Sequence, residues 1–91
     1  MLERRVTFIV EAENRPDLLA RLVLLFHRLN VEIHGLRMMR RRDSPTMRLG
    51  VTVEVEVERA RRIEAHLYKV VEVGSVRIGR PGAELVEESF H

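Results

Sequence analysis

The sequence contains no cysteine and no tryptophan, and three phenylalanines with one tyrosine bring the aromatic content to only 4%. Without thiols there is no disulfide, no thiolate metal site and no thiol nucleophile or redox pair. The scarcity of aromatics leaves little on which to stack nucleobases. No run reaches the ~18 apolar residues of a membrane-spanning helix. The opening "MLERRVTF" passes straight into an alternating pattern, without the apolar stretch of a secretion signal. These absences predict a soluble, unprocessed, cytoplasmic protein that neither spans a membrane nor reads nucleic acid.

The chain has 91 residues and is 45% hydrophobic, enough for one compact domain and too little for separate substrate and cofactor domains. A domain this small, with no disulfide, gains by burying further surface in an oligomer. The pI of 9.9 suggests a polyanion partner, yet net charge is only +2, with 16 basic residues against 14 acidic. The high pI follows from arginine, which supplies fifteen of the 16 basic residues and stays charged far above neutrality.

Val6, Phe8 and Val10 share one face of an extended segment, while Thr7 and Ile9 share the other, so both faces are apolar enough for an interior strand. After Pro16, Leu18, Leu19, Leu22, Val23, Leu25, Phe26 and Leu29 recur at helical spacing, and Asn30 suits a left-handed helix end. "VEIHGLRMMRR" predicts a second strand containing Val31 and Ile33, with Gly35 marking a bulge. After the polar turn "RRRDSPT", strict alternation from Met47 to Val57 predicts a third strand with one buried face. A second helix is expected from about Glu58 to Tyr68, with Ala60, Ile63 and Leu67 inward, and "VVEVGSVRI" supplies a fourth strand. Right-handed crossovers fold this βαββαβ order into a ferredoxin-like α+β sandwich over residues 1–79, two helices covering one face of a four-stranded antiparallel sheet. The other face is expected to be open, and residues 80–91 to form a C-terminal tail from which Leu85, Val86 and Phe90 dock on a neighbour.

His27, His34, His66 and His91 fall on different predicted elements with no i, i+4 pair, so they give no metal site. Ser44, Ser75 and Ser89 lack a nucleophile-elbow setting. Glu54, Glu56 and Glu58 read as a solvated face. Arg37, Arg40, Arg41, Arg42 and Arg48 surround the hairpin between the second and third strands. They form either a partner or anion surface, since guanidinium groups clamp carboxylates bidentately, or a solvated tip that discourages edge-to-edge aggregation.

"VEAENRPDLLARLVLLFHRLNVEIHGLRM", Val10 to Met38, resembles the ACT domain of acetolactate synthase small (regulatory) subunits, with their Asn-x-Pro-Gly-x-Leu turn followed by a helix and Asn-Ile-Glu-Ser-Leu. The similarity continues through "VTVEV" and "IEAHLYKVVEVGSVRI" and covers about residues 4 to 78. This resemblance implies a regulatory homodimer, formed by side-by-side extension of the sheet, with no cofactor or catalytic group of its own. It implies an amino-acid effector, valine in the family, held between the first turn of one subunit and strand 2 of the other. On this chain those walls are Asn14, Arg15, Pro16, Asp17, Leu18 and Leu19, and Glu32, Ile33 and His34. It further implies control of a thiamine-diphosphate-dependent catalytic subunit in branched-chain amino-acid synthesis, in a short ACT-only form.

Helix-start physics supports such a turn, because unpaired amides and the positive dipole end favour a carboxylate. Two residues depart from the pattern. Asp17 takes the family's glycine position, adding bulk and negative charge, and Glu32 takes the strand-2 asparagine, repelling a ligand carboxylate while suiting an ammonium. The alternatives are an interaction or activation module without an effector, and a stand-alone sensor of another amino acid.

Overall fold

The computed structural model describes residues 2–85, so the positions of Val86, Ser89, Phe90 and His91 lie outside the described residues. Strand β1 runs Arg4–Glu13, helix α1 Leu18–Arg28, β2 Gly35–Arg40, β3 Thr46–Val55, helix α2 Val57–Tyr68 and β4 Val73–Gly79. A short 3-10 turn follows at Ala83–Leu85. The four strands form one antiparallel sheet in the order β2-β3-β1-β4, so β1 and β3 are interior, as the two-sided apolar pattern of β1 requires.

Alternation places Phe8, Val10 and Ala12 of β1 opposite Val51, Leu49 and Met47 of β3, all turned to the helices. Leu18, Leu22, Leu25 and Phe26 of α1, with Ala60, Ile63 and Leu67 of α2, complete one core. Helix α1 ends as its sequence directs. Asn30 takes φ 61°, Asn30 N–H donates to His27 O and Val31 N–H donates to Phe26 O, the paired bonds of a Schellman termination. Arg59 of α2 donates to the Leu29 carbonyl at 2.8 Å, tying the two helices at that end. The Tyr68 hydroxyl both accepts from Val76 N–H and donates to Val76 O, locking α2 to β4.

Three expectations are corrected. Strand β3 stops at Val55, and Val57 is an exposed first residue of α2, because Glu56 takes up the extended position before the helix and breaks the alternation. Strand β2 starts only at Gly35. Val31 is buried in the α1–β2 connection, and Gly35 to Arg40 pair with Thr52 to Met47 in unbroken register, so Gly35 marks a strand start and no bulge. The sheet face away from the helices is not fully open. Thr7 and Ile9, which point to that side, are 0% and 1% exposed, and residues 83–85 fold back across it, Ala83 coming close to Gly79 and Glu84 to Gly50.

Candidate functional site

The β1–α1 turn is built by Pro16. The Leu18 N–H donates to Arg15 O at 3.2 Å, closing a turn whose second and third positions are Pro16 and Asp17, and proline pre-sets the φ that the second position requires. Asp17 then stands at the helix start with φ −80° and ψ −14° and makes no side-chain capping bond. Its carboxylate faces sideways instead, accepting from Arg15 Nε and Arg21 Nη1, each at 3.3 Å. Glu72, in the α2–β4 connection, accepts from Arg21 Nη1 and Nη2 at 3.0 Å each and from Arg15 Nη1 at 3.2 Å. Two cations and two anions therefore alternate around the turn. The first-turn amides of α1 are left without a side-chain acceptor.

This network sets the titration of its carboxylates. Arg21 donors hold the Glu72 carboxyl below its usual value, helped by the Glu72 backbone N–H. For Asp17, partial desolvation opposes ionisation, but its own backbone N–H and the Arg21 and Arg15 groups outweigh it and the carboxyl is also lowered. Groups depressed in the fold contribute stability at pH above their ordinary values of 3.8 and 4.5, and that contribution disappears as pH falls through the depressed values. The expected result is a Tm that drops below about pH 4.5, less steeply in a D17N/E72Q double variant, as followed by circular dichroism.

Asn14 does not cap the helix. Its side-chain amide donates to Arg41 O at 3.0 Å and Ser44 O at 2.9 Å, while its backbone N–H donates to Pro45 O at 2.9 Å, so the turn is fastened to the β2–β3 hairpin. Its Oδ1 is buried with no partner. Leu18 is wholly buried in the core and Leu19 is half-buried, so Leu19 is the side chain of this pair that a surface ligand can touch.

Glu32, Ile33 and His34 precede β2, and His34 N–H donates to Thr52 O at 2.8 Å. They stand at the end of the sheet where Gly35 faces Thr52, whereas Asn14 follows Glu13, which faces Thr46. Six residues of β3 separate those rungs, about 20 Å. One chain therefore does not bring the two predicted walls together.

The arginine cluster divides. Arg48 pairs with Glu11 at 2.7 Å and reaches Glu84 O at 3.4 Å, and Arg37 lies 3.6 Å from the Glu84 carboxylate. Arg41 approaches Asp43 at 4.0 Å, while Arg40 and Arg42 are exposed. Sequence reasoning missed Arg21, Glu72, Gly50 and Glu84. Only Gly50 carried a signal, a glycine within an otherwise regular strand, which marks close approach of another group.

The βαββαβ order, the sheet order and the two helices on one face define the ferredoxin-like fold of ACT domains. Among solved structures, the chain is similar to the acetolactate synthase small subunit of Thermotoga maritima, with TM-score 0.76 and 25% identity, covering 89% of this chain and 50% of that one. It is similar to the ACT domain of GTP pyrophosphokinase from Chlorobium tepidum, with TM-score 0.73 and 13% identity over 86% of this chain and 88% of that one. The regulatory subunit of aspartate kinase from Thermus thermophilus gives TM-score 0.65 and 12% identity, covering 86% of this chain and 51% of that one. The chain thus spans about half the length of two of these three proteins. No family model and no curated protein sequence matches it. Among the described residues, no helix is long and apolar enough to cross a membrane.

Proposed function

We propose that this chain is a regulatory module that binds an amino acid and, like the acetolactate synthase small subunit it resembles, modulates a thiamine-diphosphate-dependent catalytic subunit of branched-chain amino-acid synthesis in the cytoplasm. The observation that carries this reading is the placement of the two predicted walls at opposite ends of the sheet, with β2 as an edge strand. When two β2 strands pair antiparallel about a two-fold axis, the start of one lies beside the end of the other. Glu32, Ile33 and His34 of one copy then share a sheet end with Asn14 to Leu19 of the other. The 25% identity to a small subunit over 89% of this chain supports the choice of catalytic partner.

In the dimer, the α1 amides offer a seat for a ligand carboxylate. Glu32 of the other copy suits its ammonium. Calorimetric titration of the purified protein with valine, leucine, isoleucine and the other amino acids tests this. Binding of one of them, with a raised Tm, is expected because a ligand of the native state stabilises by mass action. Silence toward all of them, with a catalytic subunit still co-purifying, would leave the interaction module without an effector.

Asp17 sets the strength of that site. Asp17→Gly removes the negative charge nearest the α1 amides and frees Arg15 and Arg21 from one of their two acceptors. Affinity for a zwitterionic amino acid is expected to rise about tenfold, as one charge-assisted contact would give. Unchanged or weaker binding in the same titration would show that Asp17 does not obstruct the seat.

A further inference from the structure

Gly50 lies on β3 directly beneath the returning C-terminal segment, and Glu84 fills the space above it. A Cβ placed at position 50 would stand 2.5 Å from Glu84 Cγ, 2.6 Å from Cδ and 2.8 Å from Cβ. The glycine is therefore a notch, and a glutamate side chain lies in it. Glu84 is only 5% exposed, a degree of burial that carboxylates reach rarely and only with compensation. That compensation is incomplete here. Oε2 meets Arg37 at a long 3.6 Å, and Oε1 is buried with no partner. A resident carboxylate with one oxygen unpaired regains that pairing in water when it leaves, so it is open to displacement by a competing segment. Beside Glu84 and Leu85 a cleft of about 510 Å³ continues along the sheet toward the hairpin, lined among others by Met39, Arg41, Ser44 and Arg48. A longer segment entering the notch thus has Met39 and further cations ahead of it.

We propose that the sheet face covered by residues 83–85, here the strap, is a docking surface for a partner polypeptide presenting a glutamate next to an apolar residue, and that Glu84-Leu85 of this chain is its resident stand-in. Arg37 supplies charge recognition from the edge strand, Gly50 supplies the shape, and the cleft receives the flanking chain. Because the strap is tethered, it competes at an effective concentration of about millimolar. A partner therefore docks weakly until the strap is released, and the covered face is a closed state of the interaction surface. This inference concerns the face opposite the helices and stands whether or not an amino acid binds at the β1–α1 turn.

The test is fluorescence anisotropy of a labelled five-residue peptide, PGAEL, identical to residues 81–85, titrated with the 91-residue chain. Glu84→Ala empties the notch and is expected to bind the peptide at least about tenfold more tightly than the wild type, which still carries the competing strap. Adding Gly50→Ala, which fills the notch, or Arg37→Glu, which reverses its charge, is expected to return binding to the wild-type level. Replacing the peptide's glutamate by glutamine is expected to weaken binding at least about fivefold. Glu84→Ser, which lacks the Cγ and Cδ that fill the notch, serves as the releasing variant where Glu84→Ala melts below the assay temperature. Equal binding by wild type and releasing variant, or indifference to Gly50→Ala and Arg37→Glu, would reduce the strap to a structural cover and overturn the proposal. Displacement of the peptide by excess wild-type protein would overturn it too, by assigning the surface to the strap of a second copy.

Discussion

Replacing Phe8 by alanine is expected to lower the unfolding free energy by about 3–5 kcal/mol and the Tm by more than about 10 °C. Phe8 is fully buried at the middle of an interior strand, opposite Val51 on one side and Ile78 on the other. Its ring lies 5.8 Å from that of Phe26 at a tilt of 57°, joining the sheet to α1. The described residues hold no other such ring pair, because Tyr68 is drawn to β4 by its hydroxyl. The loss would take a large share of the ~5–15 kcal/mol that stabilises a domain of this size. Chemical denaturation of Phe8→Ala beside Phe8→Leu checks the mechanism. The leucine variant should retain more than half of the lost stability, and a loss below about 1 kcal/mol for alanine would mean that Phe8 does not organise the core.

If the proposed dimer pairs through the β2 edge and shares its effector site, Leu36→Asp abolishes dimerisation and amino-acid binding together. Leu36 is 45% exposed on edge strand β2, facing Val51 within its own chain and free to meet a second β2 on its outer side. A charge at that position opposes edge-to-edge pairing, the device by which natural edge strands are kept apart. If the effector site requires residues 32–34 of one copy and residues 14–19 of the other, affinity must fall with the dimer, by at least about a hundredfold at micromolar protein when the linkage is obligatory. Sedimentation velocity and calorimetry on the same samples decide the matter. A monomer that still binds the amino acid at full strength would place the effector within a single chain and refute the shared site.

Much of the fold was legible because its signals are local. The alternation from Met47 to Val55, the leucine spacing after Pro16 and the asparagine at position 30 each report a backbone geometry that the residues themselves prefer. The misreadings fall where tertiary context overrules that preference. Val57 continues an alternating pattern but is taken into α2, and Val31 and Ile33 look strand-like although pairing begins at Gly35.

The candidate site was less legible. Position marked Asn14 to Leu19 as a helix-start turn, yet the roles of its side chains are set by residues distant in sequence. Asn14 is committed to Arg41 and Ser44, some thirty residues away, and Asp17 belongs to an ionic ring completed by Glu72. No spacing rule links position 17 to position 72, because their meeting depends on β4 lying beside β1.

The sequence by itself determined the strand and helix types, the inward faces and the βαββαβ order, since periods of 2.0 and 3.6 residues are written into consecutive side chains. Only the tertiary structure decided that Glu84 fills the Gly50 notch, that Asp17 is held by arginines without capping α1, and that the two predicted walls of the effector site stand at opposite sheet ends. Those three facts depend on which strands are neighbours and how they register, and pairing across a sheet joins residues whose separation along the chain carries no periodic mark.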